Sequence, residues 1–123
     1  MLDADLEALA KACATTDPEN AFELDDDPWR HLSELVEDDA ASALSVARRI
    51  TELTDDAHML SVLGAGPIEE LLQRHPATVD AVLLDARRSS SFRKAFRSVW
   101  TGALPPAVKA KVDEAIAAYG GNL

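Results

Sequence analysis

The chain has 123 residues, a hydrophobic fraction of 47% and a formal charge of −10 at pH 7. That is one ordinary domain with enough apolar content for a core, so disorder is excluded, and such a charge repels nucleic acid, anionic lipid and acidic substrates. Thirteen of the 22 acids fall in the first 40 residues, where only Lys11 and Arg30 oppose them, while residues 41–123 are close to neutral.

Helical spacing runs through the whole chain. Leu2, Leu6, Leu9 and Cys13 repeat at i, i+4, i+7 and i+11, which predicts a first helix over about 4–15 with Cys13 as a buried small hydrophobe. A lone cysteine makes no intrachain disulfide and favours a reducing compartment, and no neighbouring base marks it as a nucleophile. Asp17-Pro18 interrupts, and the acidic run from Glu19 to Asp27 reads as a loop. It lacks the alternating acids and central glycine of a calcium loop. Asp27 then caps a helix that Pro28 opens, with Trp29, Leu32, Leu35 and Val36 inward.

After Glu37-Asp38-Asp39, a third helix carries Ala43, Val46, Ala47, Ile50 and Leu53 on one face. Thr54 caps the next predicted helix, whose Met59, Leu60, Val62 and Leu63 run to a stop at Gly64-Ala65-Gly66. Pro67 restarts a helix with Ile68, Leu71 and Leu72 inward, and Arg74-His75-Pro76 ends it. Val79, Val82, Leu83 and Ala86 form the next stripe. Ser89 or Ser90 caps a helix predicted to bury Phe92, Ala95, Phe96, Val99 and Trp100, and Pro105-Pro106 opens a last one that stops at Gly120-Gly121. No sustained period-2 alternation suggests a strand. The fold class is therefore all-α: one domain over 1–123, with an acidic part at 1–40 and a helical core at 28–119. Six or seven short helices pack as antiparallel hairpins or an irregular bundle.

Gly64-Ala65-Gly66-Pro67-Ile68-Glu69-Glu70-Leu71-Leu72 is the most distinctive motif. As a structural corner it joins a helix stop to a helix start: one glycine takes positive φ, Pro67 presets the first turn, and Glu69 and Glu70 meet the helix dipole. With Phe92-Arg93-Lys94-Ala95-Phe96 and Val99-Trp100, it resembles a small bacterial all-helical family without established activity. The resemblance spans about residues 27–100. It implies an all-α domain and supplies no catalytic residue.

The remaining signals concern partners. His31 and Glu34 share a helix face but lack a second ligand pair, so no metal or cofactor is expected, and His58 and His75 complete no catalytic order. Arg87, Arg88, Arg93, Lys94 and Arg97 form a basic cluster that meets acids of the same fold or of a second copy. Glu23, Asp25, Asp26, Asp27, Glu37, Asp38 and Asp39 offer an acidic docking surface for a basic protein. The sequence thus points to a cytoplasmic, non-enzymatic interaction domain, sharpest as an immunity- or antitoxin-like inhibitor. The rivals are a self-associating adaptor, as a homodimer, and a small enzyme or ligand-binding protein using the Gly64–Pro67 corner. A basic signal region and a membrane span are both lacking in the sequence.

Overall fold

The computed structural model describes residues 3–23 and 25–119. Its α-helices are α1 (Asp3–Ala14), α2 (Pro28–Asp38), α3 (Ala40–Leu53), α4 (Ala57–Leu63), α5 (Glu69–Arg74), α6 (Val79–Arg88), α7 (Ser90–Phe96) and α8 (Pro106–Ala118). A π-helical turn, Gly64–Ile68, joins α4 directly to α5, so the described chain forms seven helical rods, with no strand among the described residues. None of these helices is long and apolar enough to cross a membrane. The Gly120-Gly121 stop lies outside the described residues.

Local chemistry sets most of the boundaries. The Asp27 carboxylate accepts from the N–H groups of Trp29 and Arg30, and Pro28 fills the first position of α2. Asp39 ends α2 and starts α3, where it accepts from both the N–H and the hydroxyl of Ser42. Ser89 caps α7 through the N–H of Phe92. At α4 the cap is Asp56, not Thr54: Asp56 accepts from Met59, while Thr54 only accepts from Asp56.

One continuous core joins these rods. α1 lies on α3 and α2, and α3 also meets α7. The acidic first third is therefore part of the bundle, with Ala10 and Cys13 at its centre beside Ala43, Val46, Ala47 and Ile50. Burial pushes the Cys13 thiol up to about 12, which keeps it protonated and inert. Three ion pairs brace the outside of this layer: Arg48 grips Asp85 through two N–H groups, each at 3.0 Å, and Arg49 holds both Glu7 and Glu52.

Candidate functional site

The predicted Gly64–Gly66 stop does not exist. Gly64 lies at φ −69°, ψ −48°, and Leu63, Ile68 and Glu69 are also right-handed helical. Neither Gly64 nor Gly66 takes a positive φ. The physical reason lies at Pro67, which has no N–H to give a carbonyl of the preceding turn. Widening to a π turn lets the N–H of Glu69 reach the carbonyl of Gly64 and carries the helix past the proline. The N–H groups that a helix start would leave free are thus used within the helix: that of Gly64 goes to Leu60 and Ser61.

The glycine is required for a different reason. A Cβ on Gly64 would lie 1.8 Å from the carbonyl oxygen of Ala95 and 3.1 Å from Cβ of Ser98. The end of α7 rests directly on this backbone. At Gly66, by contrast, nothing lies within 4 Å of such a Cβ. Gly64 therefore permits a helix–helix approach, while Gly66 faces open space.

That approach positions the segment after α7. The α-helix ends at Phe96, earlier than the stripe predicted, and turns of Ser98 N–H to Ala95 and Val99 N–H to Phe96 close it. Val99 and Leu104 are both buried. Between them Trp100, expected inside the core, is 64% exposed. The Trp100 N–H donates to Oε1 of Glu69 at 2.6 Å, which ties the loop to the first turn of α5. Its indole lies over Gly102, where an added Cβ would fall 2.5 Å from the ring. Near the loop, Asp113 is held below its usual range chiefly by its hydrogen bond from Lys109, with the Thr101 hydroxyl acting in the same direction. Glu69, predicted to serve the helix dipole, instead anchors the loop.

Glu70 is half-buried, and desolvation raises its pKa; Glu37 and Glu69 push the same way, opposed by Arg74. Arg74 is itself paired with Glu37 at 2.6 Å. The backbone of the Trp100 loop is thus bound to Glu69, with Glu70 next along α5, and Thr101 of the same loop stands near Asp113. An indole fixed in solvent beside carboxylates presents an apolar, electron-rich face for a cationic or aromatic group.

Four of the seven acids expected to form a docking surface have partners within the fold. Asp27 and Asp39 are helix caps, and Glu37 pairs with Arg74. Asp26 meets Nε2 of His31, whose Nδ1 lies 3.8 Å from Glu34. Glu23, Asp25 and Asp38 are exposed.

The basic cluster does not meet acids of its own fold: among the described residues none of Arg87, Arg88, Arg93, Lys94 and Arg97 forms an ion pair, so direct pairing with the acidic third is not its role. Arg93 donates to the carbonyls of Ala86 and Arg87 and stacks 4.8 Å from the Tyr119 ring centroid, and Arg97 donates to the Tyr119 carbonyl. These two residues close the end of α6 and fasten the end of α8. Arg88 and Lys94 are exposed.

Two further features escaped the sequence reading. Asp17, Glu19 and His58 bring their ligand atoms within 4.8 Å of one another at the surface, where Asp17 is engaged by the Glu19 N–H and the Asn20 amide and His58 lies 3.3 Å from Glu19. A concavity of about 360 Å³ between α6 and α8 is lined by Leu83, Arg87, Lys111, Ala115 and Tyr119 among others. It is remote in sequence from the Gly64–Pro67 turn.

Fold and site together define an all-α domain built around a π-turn that seats a tryptophan loop. The chain belongs to the family of unknown function DUF6869, whose model matches residues 17–120. That span takes in both motifs on which the resemblance rests and leaves out α1. No curated protein and no solved structure matches the chain.

Proposed function

We propose that this protein is an interaction domain that docks a partner protein bearing positive charge on the Trp100 loop. The observation that carries the reading is an indole 64% exposed on a loop whose neighbours Val99 and Leu104 are buried. A large apolar ring in water stabilises nothing in the free domain, whereas tryptophan is among the residues that most often dominate binding energy at interfaces. Anchoring through Glu69 and Gly102 lowers the ordering cost of association. The carboxylates around the loop and the net charge of −10 favour a basic partner and speed its approach.

In its narrower form the domain is an immunity- or antitoxin-like inhibitor in the cytoplasm, covering a basic site on its partner. The acids of 23–39 contribute long-range attraction in this reading, and Trp100 and its neighbours make the contact. A photo-crosslinking side chain at exposed Ala103, beside the loop, should trap one protein in cells, and the same group at Asp25 should trap little or none. No adduct at position 103, or an adduct at position 25 alone, would overturn the reading.

A further inference from the structure

We infer that the partner group received by the Trp100 loop is an arginine side chain, its guanidinium lying on the exposed indole and paired with Glu69. This rests on the reading of the loop as a docking surface. Three observations converge on that chemistry. First, Trp100 is 64% exposed with Gly102 packed against its ring, and tryptophan is the strongest aromatic partner for a cation, with arginine the commonest one.

Second, carboxylates crowd this edge. Glu69 binds the loop through Oε1, which leaves Oε2 for a second donor. Glu70 lies close enough to Glu37 and Glu69 to feel their charges, and the nearby cation, Arg74, is committed to Glu37. Asp113, near Thr101, is engaged by Lys109. A cation entering here relieves repulsion between like charges. Third, the site combines a flat apolar ring with carboxylates. A guanidinium is planar, weakly hydrated and able to donate to two oxygens while stacking, whereas an ammonium is a compact, strongly hydrated point charge.

The test uses three synthetic Gly/Ser peptides, identical except that they carry arginine, lysine or uncharged citrulline. The domain has two tryptophans, one 8% and one 64% exposed, so their indole N–H signals in a nitrogen–proton correlation spectrum report separately. The arginine peptide should shift the Trp100 signal saturably and leave that of Trp29 in place. The lysine peptide should bind about fivefold more weakly, and citrulline should not bind. Glu69→Gln keeps an oxygen to accept the Trp100 backbone N–H, so the loop stays seated, and this variant should weaken the arginine peptide several-fold.

Equal shifts from arginine and citrulline would overturn the assignment, as would no saturable shift. A Trp100 signal that moves with protein concentration alone would also overturn it by making a second copy the occupant. If the arginine peptide fails while the crosslink at Ala103 forms, the arginine assignment falls and the docking surface stands. If both fail, both fall.

Discussion

The acidic segment before α2 and the loop after α7 are both irregular and both at the surface, but they spend their side chains differently. In the first, Asp27 caps α2 and Asp26 meets His31, and at the other end of α2 Glu37 pairs with Arg74 while Asp39 caps α3. In the second, buried Val99 and Leu104 and the bond to Glu69 fix the backbone, and the largest side chain is left outside. Density of charge in a sequence therefore does not by itself mark a binding surface, because folded helices consume acids as caps and pairs. A costly apolar group held in water on a loop anchored by buried Val99 and Leu104 is the stronger sign.

This contrast can be broken most sharply with the two tryptophans. Trp29 is 8% exposed and its indole N–H donates to the Thr16 carbonyl, so Trp29→Ala should cost about 4 kcal/mol of stability. Trp100→Ala should cost under about 1 kcal/mol, because most of its ring is already hydrated. Urea unfolding of both variants checks this, and similar losses would show that Trp100 belongs to the core.

The two glycines of the π turn give the next largest difference. Gly64→Ala forces a methyl into the Ala95 carbonyl and should cost about 3 kcal/mol. Gly66→Ala meets open space in a helical segment and should stabilise by about 0.5 kcal/mol. A tolerated Gly64→Ala would mean that α7 does not rest on the turn.

Within the acidic segment, Asp27→Ala should cost about 1 kcal/mol as a lost cap, against less than about 0.5 kcal/mol for exposed Asp25→Ala. The smallest effect is a pH dependence of two signs. Glu7, held low chiefly by its hydrogen bond from Arg49, Asp39, held low chiefly by Ser42, and Asp113 all contribute stability that is present above their unfolded values and lost as pH falls through their folded ones. Glu70 is opposite: desolvation raises its folded pKa, so its contribution is full below its unfolded value near pH 4 and lost as pH rises through the folded one. Glu70→Gln should therefore gain on wild type as pH rises from about 4 to 7. A constant difference between the two across that range would count against the burial of this carboxyl.

Much of the fold was legible because its signals are local. Asp27-Pro28, Ser89 and Pro105-Pro106 mark helix starts through caps and proline chemistry, and the stripe Trp29, Leu32, Leu35 and Val36 is buried as its spacing predicts. The turn at Gly64–Pro67 misled because glycine and proline are also the residues of helix ends, and only the approach of Ala95 reveals why Gly64 is small. Trp100 misled because it continues the register of Phe92 and Phe96, and nothing local says that the helix ends first. The candidate site was least legible: Glu69 and Trp100 are far apart in sequence, and their bond depends on tertiary packing.

The most direct test of the account is to capture partners from the source organism's lysate with three baits: wild type, Trp100→Ala, and a chain in which Asp25, Asp26 and Asp38 are changed to lysine. The account predicts one basic protein retained by wild type, weakened but still retained by the charge-reversed chain, and lost from Trp100→Ala. Equal retention by Trp100→Ala, with loss confined to the charge-reversed chain, would contradict it and return the contact to the acidic segment.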